Sequence, residues 1–248
     1  MRVAIAGKGG AGKTTLSASL ARLAGRSGTP VVAIDADSNP NLMAALGVDR
    51  DRAAAASALA PSIVSRRFGG PALSEPLESV LDRFAVSGPD GVRVALMGMP
   101  AHADQGCLCG AHATVSAVLD DLGSHPELLT IVDLEASPEH LSRGTARHVD
   151  ALLLVTEPYY RSLETVRRLA SLASELPIPR VAVVQQGPVT GRFRGRDGVL
   201  RPPRHRVRGR HPLERRGRTG RSRRRPGHPP CRRRRGCHRG AGREPAGA

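Results

Sequence analysis

The sequence predicts a doubly wound α/β domain, a mainly parallel sheet with helices on both faces. Three observations carry that expectation. Short β-rich runs alternate with helical segments along the first three quarters of the chain. The runs, at 3–6, 31–34, 92–97, 128–132, 151–156 and 180–184, are nearly continuously apolar, as strands buried on both faces of a parallel sheet are. The first run leads directly into Gly7-Lys8-Gly9-Gly10-Ala11-Gly12-Lys13-Thr14, and a helical pattern starts near Thr15. Strand, glycine-rich loop and helix in that order is the setting in which such a loop binds phosphate.

In chain order, a helix is expected over 15–26 after the loop, followed by the strand 31–34. That strand runs out through Asp35-Ala36-Asp37-Ser38-Asn39-Pro40-Asn41 into a short helix at 40–46. Residues 49–90 are rich in Ala, Ser, Arg and Pro with few strong signals, and loosely ordered helices over one sheet edge are expected there. The strand 92–97 precedes Gly106-Cys107-Leu108-Cys109 and a helix at 112–122. The strand 128–132 delivers Asp133, and helices at 138–147 and 161–175 flank the strand 151–156. No internal repeat is visible.

The phosphate loop assigns the first set of site residues. Gly7, Gly9, Gly10, Ala11, Gly12, Lys13, Thr14 and Thr15 form the nucleotide cradle. Its glycines let backbone N–H groups turn toward an anion, and the helix N-terminus adds the positive end of its dipole. Lys13 is placed to reach the β- and γ-phosphates, and the Thr14 hydroxyl to ligate Mg²⁺. Asp133, at the end of an apolar strand, is the acid for the magnesium shell, acting through a water. Asp35 and Asp37 end the second strand on the side where such sheets bind ligands, and either can instead cap the next helix.

Cys107 and Cys109 offer two thiolates one residue apart, flanked by Gly106 and Gly110 in what reads as an exposed turn. Two thiolates cannot fill a tetrahedral shell, but two such pairs across a two-fold axis make a Cys₄ site for Zn²⁺ or Ni²⁺. The competing reading is a pair of small buried hydrophobes. For Glu139 and His140 an exposed helix face is preferred over a role beside a metal.

Charge divides the chain. The net +16 over 248 residues splits into −2 for residues 1–186 and +18 for 187–248, where 21 Arg stand with no Lys. Residues 1–186 therefore read as an ordinary, slightly acidic domain, the ATPase domain of the phosphate loop, and 187–248 as a disordered Arg/Gly/Pro-rich tail; that the domain is C-terminally incomplete is implied by the family resemblance given below. A nucleic-acid-binding arm is one reading of that tail. The preferred reading is a shifted reading frame. Gln185-Gln186-Gly187 encoded CAG-CAA-GGT becomes Ser-Lys-Val one base later, and cysteines sit among the arginines. No specific nucleic acid is then expected. No apolar run approaches the ~20 residues that span a bilayer, no leader segment is recognised, and a cytoplasmic location is expected.

Lys8 before the two glycines resembles the deviant phosphate loop K-G-G-x-G-K-T of the MinD/ParA group of dimeric ATPases. That resemblance implies a homodimer in which Lys8 reaches the partner's nucleotide, and it implies that Asp37 positions the attacking water. The other reading of Lys8 is added charge at its own site. Gly106-Cys107-Leu108-Cys109, Asp133-Leu134-Glu135-Ala136-Ser137-Pro138-Glu139-His140-Leu141, Thr156-Glu157-Pro158 and Arg161-Ser162-Leu163-Glu164-Thr165 together look like the CooC-type maturation ATPases. Membership there implies ATP-driven nickel insertion into a carbon monoxide dehydrogenase-like client. Two departures stand out. Ser137 occupies a position that is usually Gly, and Gln185-Gln186 stands where Asn-Lys contacts the adenine. The alternatives are a ParA/MinD-like positioning ATPase acting on DNA or membrane, and an iron–sulfur electron donor. The latter needs ligand cysteines from two loops per chain, and only one pair precedes the tail.

Overall fold

Strand β1 (Arg2–Gly7) lies in the interior of a seven-stranded sheet of order β5-β6-β2-β7-β1-β8-β9. The others are β2 (Val31–Ala36), β5 (Val86–Ser87), β6 (Arg93–Leu96), β7 (Leu129–Leu134), β8 (Ala151–Thr156) and β9 (Val181–Gln185). Every pairing is parallel except β5 with β6, which is antiparallel at one edge. The computed structural model describes residues 1–67, 70–98 and 108–186, all within one compact unit. Cys107, the flanking Gly106 and the tail 187–248 lie outside the described residues.

Helices α1 (Lys13–Arg26) and α2 (Leu42–Leu46) pack on one face of the sheet, where Ala18, Ala21, Leu42 and Leu46 meet Val3, Ile5 and Ala33. On the other face lie α4 (Leu77–Phe84), α5 (Cys109–Asp121) and α7 (Tyr160–Ala173). Their Leu81, Val115, Val118, Leu119 and Leu169 meet Ala4, Ala6 and Ile34. Alternate residues of one strand thus feed two cores, which is why the strands read as continuous apolar runs. Each fully buried Ile or Leu contributes roughly 1.5–3 kcal/mol of transfer free energy.

All six expected strands are present, shifted by a residue or two at their ends. Two expectations are corrected. Residues 49–90 hold short helices, α3 (Arg50–Ala54) and α4, but also an antiparallel hairpin of β3 (Val64–Arg67) with β4 (Gly70–Leu73), and the edge strand β5. Four-residue strands of mixed polarity that pair only with each other leave no alternation to read. The helix expected at 138–147 is broken. Its first part, α6 (Glu139–Ser142), stops before Gly144 at φ 70°, and a 3₁₀ turn follows over Thr145–His148. The left-handed glycine ends one helix and redirects the chain into the next turn.

β1 lies between β7 and β8, so the chain order reverses there, and ligands of open parallel sheets bind outside the strand ends at such a point. Gly7, Asp35 and Asp133 all come to this end, with Asp35 directly opposite Asp133 in the β2–β7 register.

Candidate functional site

The loop after β1 is shaped by backbone constraints. A Cβ on Gly7, at φ 149°, would lie 2.2 Å from the Val155 carbonyl oxygen, so only glycine lets β1 leave this close to β8. Gly10 and Gly12 hold φ of 82° and 87°, the left-handed region that side chains disfavour, and the Ala11 N–H closes the turn onto Lys8 O at 3.1 Å. Gly9 and Gly10 are exposed, Ala11 is buried, and Lys13 opens α1 with 6% exposure. Gly12 offers α1 no side-chain cap, and its first turn holds no acid. The uncapped N–H groups and the dipole of a fourteen-residue helix therefore face the loop, a fit for phosphate. Thr14 is half-buried and Thr15 exposed at the start of the helix.

Asp133 sits beneath the loop at 1% exposure. Burial pushes its carboxyl above the usual carboxylate range, while hydrogen bonds from the Thr14 and Ser17 hydroxyls and the Lys13 charge pull it back. The single Ser17 hydroxyl proton has two acceptors in reach, Asp133 Oδ1 at 3.1 Å and the Lys13 carbonyl oxygen at 2.9 Å. Sequence reading had not singled out Ser17; its place one helical turn after Lys13 is the signal that was available. Thr14 and Asp133 facing one another is an arrangement of hard oxygen donors that suits Mg²⁺.

The two acids of the β2 end separate in role. Asp35 is 1% exposed and accepts the backbone N–H groups of Leu42 at 2.7 Å and Asp37 at 3.2 Å, so it caps the entry to α2. Burial raises its pKa to about 6, opposed by those backbone hydrogen bonds. Asp37 is half-buried beyond the strand and accepts the Asn39 N–H at 2.9 Å.

His140 corrects the expectation of an exposed helix face. It is 1% exposed, its Nε2 lies 2.7 Å from the Ala36 carbonyl oxygen, and burial lowers its pKa to about 4. Its ring meets that of His112 with centroids 4.4 Å apart at 57°. His112, from α5, was not singled out from sequence either. Nothing in a lone histidine three residues after Cys109 announces that it will meet a second histidine 28 positions on. Glu139 is half-buried and bonds Arg143 Nε at 3.0 Å.

Cys109 forms the first residue of α5, is disulfide-bonded in the structure, and has Arg143 Nη1 3.2 Å from its Sγ. It lines a cleft of about 460 Å³ together with His112, Arg143, Thr145 and Arg147. Among the described residues no three His, Cys, Asp or Glu side chains converge on one metal position.

Lys8 is half-buried, with Nζ 5.5 Å above the Tyr159 ring and 3.5 Å from Gly9 O. The Thr156-Glu157-Pro158 turn that carries Tyr159 is locked by buried Ser162, whose Oγ accepts from Thr156 Oγ1 and from the Glu157 N–H, each at 3.0 Å. Ser137 Oγ accepts the Glu139 N–H at 3.3 Å, a local contact that a glycine could not make. Gln186 donates its N–H to Thr156 O at 2.7 Å and lays its side chain against Gly12, with Nε2 3.5 Å from Gly12 O.

The family model of the CobQ/CobB/MinD/ParA nucleotide binding domain matches residues 3–199. The chain belongs to this family. It is 36% identical over 193 residues to the carbon monoxide dehydrogenase accessory protein CooC of Rhodospirillum rubrum, covering 73% of this chain and 72% of that one. It is 30% identical to an uncharacterized ATP-binding protein of Methanocaldococcus jannaschii, covering 74% of each. Among solved structures it resembles a chain of the MinC:MinD cell division protein complex of Aquifex aeolicus, with TM-score 0.52, 18% identity and coverage of 74% of this chain and 67% of that one. It also resembles MinD from Pyrococcus horikoshii with Mg-ADP, with TM-score 0.50, 21% identity and coverage of 75% and 70%. Those structures bear on the fold, which is the doubly wound P-loop fold read from the sequence. Family membership makes the chain a CooC-like P-loop ATPase. No helix among the described residues is long and apolar enough to cross a membrane.

Proposed function

We propose that this ATPase is a homodimer that couples Mg²⁺-ATP hydrolysis to metallocentre assembly, delivering nickel to a carbon monoxide dehydrogenase-like client. The observation that carries the reading is Cys109 at the start of α5, with His112 one turn later against the segment that follows Asp133. The 36% identity to an accessory protein of carbon monoxide dehydrogenase supports the same class of client.

In this reading the loop N–H groups and Lys13 hold the β- and γ-phosphates, while Thr14 and Asp133 hold Mg²⁺. When bound, the ion neutralises charge that develops on the transferred phosphoryl group. Asp37 orients the attacking water, and Lys8 crosses to the partner's nucleotide. Cys107 and Cys109 of each protomer complete a Cys₄ site for Zn²⁺ or Ni²⁺ on the two-fold axis, which ties metal binding to dimerisation. The disulfide at Cys109 must be reduced before that thiolate can ligate.

The test is metal content and mass of protein purified without oxygen and with reductant, in the presence and absence of a non-hydrolysable ATP analogue. About one metal per two chains is expected in the dimer. Cys107→Ser with Cys109→Ser is expected to remove the metal and weaken the dimer, with ATP affinity unchanged. Metal that survives the double change refutes the bridging site. Nucleotide-dependent binding to DNA or vesicles in the same protein favours the positioning-ATPase reading, which the shared MinD fold also accommodates.

A further inference from the structure

The peptide joining Ala36 to Asp37 is held at both of its polar ends. Its carbonyl oxygen lies 2.7 Å from His140 Nε2, and its N–H donates to Asp35 Oδ1 at 3.2 Å. A carbonyl only accepts, so His140 Nε2 carries the proton and Nδ1 is left bare; that atom is buried and has no hydrogen-bond partner. A peptide unit is planar, so anchoring its oxygen and its N–H holds the plane and with it the position of the Asp37 Cα, leaving rotation about the N–Cα bond to set where the carboxylate points.

His140 is itself held from the far side. The His112 ring packs on it at 4.4 Å between centroids. His112 Nδ1 lies 3.3 Å from Thr145 Oγ1, and its Nε2 lies 3.6 Å from Glu139 Oε2. His112 rides on α5 one turn after Cys109, so the ring packed against His140 belongs to the cysteine-bearing helix.

We propose that His140 is a positioning residue for ATP hydrolysis, orienting Asp37 through the Ala36–Asp37 peptide and linking that peptide to the cysteine-bearing helix through His112. This rests on the reading that Asp37 orients the attacking water. His140 makes no contact with phosphate in this scheme; it acts on the backbone that carries Asp37. A histidine that merely filled the core would have its role met by any ring of similar volume. A positioning histidine needs its Nε2 donor.

Two variants of the full 248-residue chain separate these roles. Phenylalanine keeps the ring volume and loses the donor. Glutamine places an amide N–H at the same remove from the backbone. Losing one buried hydrogen bond corresponds to about tenfold in an equilibrium or a rate. His140→Phe is therefore expected to speed hydrogen exchange of the Asp37 amide about tenfold and to slow single-turnover hydrolysis of γ-labelled ATP about tenfold or more, with the ATP Kd within about threefold. His140→Gln is expected to stay within about threefold of the parent in all three. Single turnover with enzyme in excess reads rates far below one per minute, so weak activity does not blunt the test.

Unchanged Asp37 exchange in His140→Phe overturns the proposal. So does parental hydrolysis in His140→Phe while Asp37→Asn is inactive. Failure of the underlying reading looks different: Asp37→Asn then hydrolyses ATP at the parental rate, whatever the exchange experiment shows. The double variant closes the argument. If His140 acts through Asp37, adding His140→Phe to Asp37→Asn costs nothing further, and additive losses refute the coupling.

Discussion

Two buried groups at the end of β2 should make the stability of this protein respond to pH in opposite senses. Asp35 is raised from 3.8 to about 6, with burial the first cause. The folded state therefore holds a proton there that the unfolded chain has lost, and this contribution is complete below pH 3.8 and disappears as pH rises through 6. His140 is lowered from 6.5 to about 4, again by burial first. Its contribution is complete above pH 6.5 and is lost as pH falls through 4, because the buried ring must then take up charge. At 1.36 kcal/mol per pH unit, each displacement corresponds to about 3 kcal/mol, and the two slopes oppose across nearly the same window. The parent should therefore show little net dependence from this pair. Asp35→Asn removes one arm, and its stability should rise with pH between about 4 and 6 by about 3 kcal/mol more than that of the parent. His140→Gln removes the other, and its stability should fall by a similar amount relative to the parent. Urea unfolding followed by circular dichroism, at steps from about pH 4 to about pH 7, gives both differences. Other groups titrate in this range, so only the difference between variant and parent is read. Profiles of either variant that run parallel to the parent within about 0.5 kcal/mol would refute the electrostatic account.

Further outcomes follow from the site. Lys13→Ala should abolish nucleotide binding by fluorescence titration, whereas Lys8→Ala should spare binding and remove dimer-dependent turnover; unchanged turnover in the Lys8 variant would sink the cross-dimer role. Gly7→Ala should cost about 1–3 kcal/mol in urea unfolding or prevent folding, because the new methyl meets the Val155 carbonyl at 2.2 Å and φ is 149°. Resequencing the gene should reveal a one-base insertion or deletion near the codons for 184–187, and restoring the frame should raise ATP turnover. An intact frame, together with salt-dependent DNA binding that is lost on removing 187–248, would instead establish a basic arm.

The sequence alone determined the framework and the phosphate loop. Strands buried on both faces leave continuous apolar runs, and a glycine loop between strand and helix leaves a fixed spacing, so β1, β2, β6, β7, β8, β9 and the place of Lys13 at the start of α1 were legible. Asp133 was legible because its strand delivers it locally. The hairpin β3–β4 was not, since four-residue strands that pair only with each other carry no periodic signal. Only the tertiary structure assigned Asp35 to capping and left Asp37 beyond the strand, because the N–H groups that claim Asp35 become neighbours only when the chain turns into α2. The same holds for His140. An exposed face was the reasonable expectation for a polar residue beside Glu139, yet its partners Ala36 and His112 come from β2 and α5, 104 and 28 residues away. Local sequence fixes what hydrogen-bonds and packs within a turn or a strand; which buried polar atoms meet across the sheet end is decided by how α5, α6 and β2 pack together.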